Sequence, residues 1–194
     1  MIPRLDHAER VDSGWLGGTH TEGAMDDGTK LENNKHVYRR YIELLNAQDF
    51  DALPEVVDPE RYREICVGFT PGWVNLPDAV ASLRQVLIGI PDLNARIDDA
   101  VAEGDRVYAR LTVRGTNTGR FYGIPVTSGA YEVNMFDYAT IKDGRIVERI
   151  QQSDALSQMR QMYAPAAKRI GALAGGLLAA SLAVITAKQM VRRS

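Results

Sequence analysis

From Ala95 to Ser153 the chain adopts an apolar/polar period of two through four stretches, the first two and the last two joined by tight turns. That pattern commits this half to hairpin-linked antiparallel strands. Val107, Ala109, Leu111 and Val113 alternate with Tyr108, Arg110, Thr112 and Arg114, as in a strand buried on one face. Tyr131–Ile141 and Arg145–Ser153 read as two further strands joined at Lys142-Asp143-Gly144, where Asp-Gly supplies the backbone freedom of a two-residue hairpin. Ala95–Ala102, turned at Glu103-Gly104-Asp105, completes a meander. Parallel strands would need a helix between each pair, so the expectation is an α+β domain rather than a doubly wound sheet.

The residues before this meander carry a helical period. From Lys35, Val37, Tyr41, Leu44 and Leu45 share one face, with Asn33 or Asn34 as the expected cap. A short helix is expected over Ala52–Val57, then a loop-rich stretch over Asp58–Pro77. A third helix over Asp78–Ile88 aligns Val80, Leu83 and Leu87. A last helix opens at Asp154, with Leu156, Met159 and Tyr163 as its inner stripe. Three N-terminal helices against a curved sheet predict a cone enclosing a pocket.

Both ends differ from this body. Residues 1–34 mix Gly, Asp, Thr and Asn with no apolar period and read as a flexible leader. They lack the basic start and apolar run of a secretory signal. Residues 35–164 are the expected domain, and 165–194 form a tail. Within the tail, residues 170–187 carry no charge and are bracketed by Lys168, Arg169, Lys188, Arg192 and Arg193. Eighteen such residues approach the length of a bilayer-spanning helix, about 20. Gly171, Gly175, Ala179, Ala183 and Ala187 form a seam of small residues suited to close helix contact. A membrane anchor and a docking helix for a protein partner both fit, with the body in the cytoplasm.

Composition excludes several classes. The acidic body has no Lys/Arg run, which argues against nucleic acid as a partner. Cys66 is the sole cysteine and cannot form an internal disulfide. His7, His20 and His36 all precede the predicted strands, so a histidine-ligated metal site or a pocket histidine base is not expected. Asp137 shares a strand face with Val133, Met135 and Ala139, where a carboxylate would be buried or paired with an arginine.

Pro91 to Leu93, Asp98-Asp99, Glu103 to Asp105, Gly115 to Gly119, Gly123 to Pro125, Asp143 to Ile146 and Asp154 together resemble the SnoaL-like polyketide cyclases of the nuclear transport factor 2-like fold. The resemblance runs over roughly Lys35 to Tyr163. It implies metal- and cofactor-free ring closure by intramolecular aldol addition, with one carboxylate moving the proton. The matching carboxylate is Asp154, on the strand face of Glu148, Ile150 and Gln152. An aspartate at a helix start is equally a good N-cap, and both readings stand. Asn117 occupies the position of the family's histidine and would orient a carbonyl without shuttling a proton. Ile150 stands where the family has tryptophan.

Tyr62, Trp73, Phe121, Tyr122, Phe136 and Tyr138 are candidates to line a pocket for a flat apolar molecule. Trp73, Tyr122, Phe136 and Gln152 are the substrate-binding candidates, and Asp154 and Asn117 the catalytic ones. The resemblance also implies a homodimer paired through the open sheet face. The resulting expectation is a tethered cyclase- or isomerase-type enzyme acting on an enolisable apolar substrate. A non-catalytic ligand-binding or assembly module is the alternative.

Overall fold

A computed structural model describes residues 27–67, 70, 72–120 and 122–168. Helix α1 (Asp27–Ala47) is followed by a 3-10 turn (Leu53–Glu55), β1 (Arg63–Cys66), α2 (Leu76–Gly89), β2 (Asn94–Glu103), β3 (Arg106–Thr116), β4 (Ala130–Lys142) and β5 (Arg145–Ser153). A final helix, α3, covers residues 155–168. The five strands form one sheet in the order β1-β5-β4-β3-β2. The α+β expectation and the meander hold, with one difference. β1 lies parallel to β5, so the sheet is mixed; its four residues fall in the stretch read as loop and are too short to show a period.

The turns follow from local chemistry. Asp143 and Gly144 both take positive φ, 53° and 72°, the pair that matches a hairpin turn to the strand twist. Gly119 lets the following loop cross the end of α2, because a Cβ there would collide with the Ile88 carbonyl. The Gly89 carbonyl accepts from Thr118 and Gly119 N–H groups at 2.9 and 3.0 Å.

Helix α1 starts at Asp27, eight residues before the predicted start, so the leader boundary drawn at residue 34 cuts through it. Asn34 is no cap. It is buried, and its Nδ2 donates to the Gly104 carbonyl at 2.9 Å, tying α1 to the β2–β3 turn. Asn46 ties the other end, donating to and accepting from the Ala95 backbone at 2.8 Å. α2 begins two residues earlier than expected, capped by Asn75, whose side chain accepts from the Asp78 N–H. Tyr38, Leu44, Leu53, Ile90, Leu111, Ile141 and Ile146 are among the fully buried side chains where helices meet the sheet.

Among the described residues, no helix is long and apolar enough to cross a membrane. The predicted tail helix over 170–187 and most of the predicted leader lie outside the described residues.

Candidate active site

The inner face of the sheet and helices α1 and α2 enclose a cavity of about 340 Å³. Its walls are mostly apolar: Ile42 and Leu45 from α1, Leu83, Val86 and Leu87 from α2, Leu111, Val113, Val133 and Met135 from the sheet. Polar side chains gather at one end, where Tyr41, Tyr62, Glu64, Arg149 and Gln151 line the same space. Apolar walls with a few convergent polar groups are the ordinary form of a small-molecule site.

The polar end is organised around Arg149. Its Nε and Nη2 donate to Asp137 Oδ2 at 2.9 and 2.8 Å. Nη1 donates to Glu64 Oε2 at 3.3 Å and to the Tyr41 hydroxyl at 3.2 Å, while Nη2 also reaches Gln151 Oε1 at 3.4 Å. Tyr38 donates to Asp137 Oδ2 at 2.6 Å, and Tyr62 donates to Glu64 Oε2 at 2.7 Å. The phenolic oxygens of Tyr41 and Tyr62 lie 3.2 Å apart. Asp137 Oδ1 is buried and has no hydrogen-bond partner among the described residues.

Burial dominates the electrostatics. It pushes the Asp137 carboxyl above its ordinary range, against the pull of Arg149 and the Tyr38 hydrogen bond. Burial also lifts the Tyr41 phenol to about 12, partly offset by Arg149, and raises Tyr62 well above its usual value. Both phenols therefore keep their protons at neutral pH. Burial lifts the Cys66 thiol to about 11, which removes the thiolate character a nucleophile needs.

The strand phase decides which sequence candidates reach this cavity. On β5, Arg149, Gln151 and Ser153 line the cavity, so Gln152 and the face that continues to Asp154 turn outward. Asp154 is exposed and its Oδ1 accepts from the Ser157 N–H at 2.9 Å. That is a helix cap, outside the cavity. On β4, Tyr131, Val133 and Met135 face in, which turns Phe136 out, where it is 61% exposed opposite Gln152.

Asn117 is fully buried but away from the cavity. Its Oδ1 accepts from the Thr127 N–H and hydroxyl at 2.7 and 2.9 Å, and its Nδ2 donates to the Gly119 carbonyl at 2.8 Å. It braces the loop after β3. Trp73 sits outside the cavity under the Arg63 guanidinium, 4.6 Å from its ring centre. Tyr122 alone of the substrate-binding candidates lines the cavity, with its hydroxyl donating to the Ser82 carbonyl at 3.2 Å. Phe121 lies outside the described residues. Among the described residues, no cluster of His, Cys, Asp or Glu is placed to hold a metal ion.

Three residues central to this site were missed as site residues: Glu64, Arg149 and Tyr41. Arg149 had a legible signal, since it falls in the inner phase of β5 one strand away from Asp137. Glu64 had none, because β1 is too short to show alternation.

A mixed sheet closed by helices over an apolar cavity with a carboxylate at its end is the nuclear transport factor 2-like fold with a cavity suited to a small molecule. The family model for SnoaL-like polyketide cyclases matches residues 35–162, and the chain belongs to that family. No curated protein matches the chain. Among solved structures, it is similar to IdmH from Streptomyces antibioticus at 25% identity and TM-score 0.61, covering 66% of this chain and 96% of that one. A SnoaL-like protein of Jannaschia sp. CCS1 aligns at 25% identity and TM-score 0.65, over 73% of this chain and 99% of that one. An LEH-like epoxide hydrolase of M. tuberculosis shares the fold at 14% identity and TM-score 0.56, over 73% and 97% of the two chains.

Proposed function

We propose that the protein is a cofactor-free acid–base enzyme of the cyclase type, closing a ring in an enolisable, largely apolar substrate, with Glu64 as the base in place of Asp154. The observation that carries this reading is the setting of the Glu64 carboxylate. Its Oε2 is held by Tyr62 and Arg149, while Oε1 receives no hydrogen bond from the described residues, and the residue lines the apolar cavity. A carboxylate fixed through one oxygen and open at the other is arranged to take a proton from carbon. Arg149 offsets the charge without sealing the open oxygen.

The test compares wild type, E64Q and D154N in the ring closure of an enolisable diketone. E64Q is expected to lose roughly 10²- to 10⁴-fold, the usual contribution of a general base, and D154N to stay within a few fold of wild type. The reverse pattern would remove Glu64 and return the role to Asp154. The second reading, a non-catalytic module for a hydrophobic ligand, is favoured by the preponderance of apolar wall. It predicts that wild type binds the diketone, read by calorimetry, with no turnover.

We further propose that the outer sheet face pairs two copies of the chain. Val101, Tyr108 and Phe136 are exposed there, at 58%, 40% and 61%, more aromatic surface than a solvated strand face usually leaves open. The uncharged segment 170–187 is proposed as the tether, to a membrane or to a protein. Flotation with liposomes of the full chain beside a version ending at Lys168 separates those two partners.

A further inference from the structure

The direction of each hydrogen bond at the polar end of the cavity follows from a count of protons. Tyr62 has one hydroxyl proton and directs it to Glu64 Oε2 at 2.7 Å. It therefore has none for Tyr41, so the 3.2 Å contact between the two phenols runs from Tyr41 to Tyr62. Tyr41 in turn accepts from Arg149 Nη1 at 3.2 Å. The chain of donors thus runs one way, from Arg149 through Tyr41 and Tyr62 to the Glu64 carboxylate. Both phenols also line the cavity.

We infer that Tyr41 and Tyr62 form a proton relay that carries the proton taken by Glu64 back to a substrate oxygen, so that base and acid are different atoms at the two ends of one wire. This rests on the acid–base reading above and adds to it which groups return the proton. With Glu64 ionised, the wire points toward it and the Tyr41 proton is committed to Tyr62. Once Glu64 holds a proton, a half-turn of the carboxyl presents that proton to Tyr62, the Tyr62 hydroxyl swings to Tyr41, and the Tyr41 hydroxyl swings into the cavity.

The proton balance closes for an aldol ring closure. A C–H bond next to a carbonyl breaks, its proton goes to Glu64, and its electron pair forms the new C–C bond to a second carbonyl carbon. That carbonyl oxygen becomes an alkoxide and takes the proton of Tyr41. Tyr41 takes that of Tyr62, Tyr62 takes that of Glu64, and the carboxylate is restored. Tyr41 touches the substrate oxygen; Tyr62 acts through Tyr41 and is a positioning and relay residue. Burial keeps both phenols protonated at neutral pH, so each remains a donor until the alkoxide draws on it.

The experiment uses the full chain and a cyclic diketone bearing a butanone arm, a small triketone that closes to a bicyclic ketol. Wild type is expected to accelerate closure and E64Q to fall to the buffer rate. Y41F and Y62F are each expected to lose roughly 10²-fold, and the double variant no more than either single, because cutting a series wire twice is the same as cutting it once. Y62F at the wild-type rate with Y41F slowed would show Tyr41 acting alone and overturn the relay. Additive losses would overturn it as well. A wild type no faster than buffer, or an unaffected E64Q, would overturn the acid–base reading and the relay together. Fluorotyrosine at position 41 or 62 keeps the hydroxyl and its contacts while changing its acidity. The rate must shift at both positions, and an unchanged rate at either refutes the relay without any question of folding.

Discussion

Arg149→Met is the sharpest perturbation of the buried cluster. The guanidinium is 6% exposed and balances two carboxylates, Asp137 at 0% and Glu64 at 9% side-chain exposure. Methionine keeps much of the volume and removes the charge, so the loss is electrostatic rather than a cavity. Asp137 loses two donors on Oδ2 and retains only Tyr38, with Oδ1 already unpartnered. Removing one partner of a buried pair costs about 3–5 kcal/mol, or a fall in Tm of about 10 °C or more for a domain of this size. The pH dependence has a definite sign. Burial raises the folded-state carboxyl of Asp137, so its ionised form costs stability above that raised value, and the cost vanishes as the pH falls through it. Without Arg149 the raised value climbs further. The deficit should be largest near neutral pH and shrink in mild acid, and D137N in the R149M background should recover part of it. Urea melts of the three proteins across that range are the assay. A loss under about 1 kcal/mol, or one that does not change with pH, would refute the claim that Arg149 compensates these carboxylates.

Other outcomes follow from single contacts. Asp154→Ala should cost about 1 kcal/mol by loss of the α3 cap, read as a small drop in Tm, with ring-closing activity retained. Asn117→Ala leaves the Thr127 N–H without its acceptor and should cost about 1–3 kcal/mol, with hydrogen exchange quickening first in the loop after β3. Phe136→Asp should shift sedimentation toward the single chain while leaving the melting curve of the domain nearly in place.

Much of the fold was legible because its signals were local. The alternation of β3 and β4, the Asp-Gly turn and the helical stripe on α1 each depend on a handful of neighbouring residues. β1 was illegible for the opposite reason: its four residues become a strand only by parallel pairing with β5, some 85 residues away, from Arg63↔Glu148 to Cys66↔Gln151. The site was read less well than the fold. Alternation says which residues share a face and not which face is covered: Gln152 turns outward, and Asp154 lies just past the end of β5 as the cap of α3. On β5 an extra residue in the register between Ile146 and Glu148 shifts the phase, so buried Ile146 and buried Arg149 lie three apart; alternation carried on from Ile146 would have put Gln152 inside, and the charge of Arg149 made it look like a surface residue. Asp137 was the useful clue, since a carboxylate in an apolar phase requires a partner, and the strand beside it offered Arg149.

The distances within the cluster also explain why two carboxylates surround one cation. Asp137 holds Arg149 through two bonds of 2.8 and 2.9 Å, whereas Glu64 meets it through one of 3.3 Å. A cluster built for stability alone would match one carboxylate to one guanidinium, because a surplus buried charge lowers stability. Here the loosely held carboxylate is also the one that lines the cavity. Asp137 fixes the arginine through two bonds, the arginine reaches Glu64 through one longer bond, and Tyr62 donates to the same Oε2. That division of labour is a reason for the second carboxylate that a structural role does not supply.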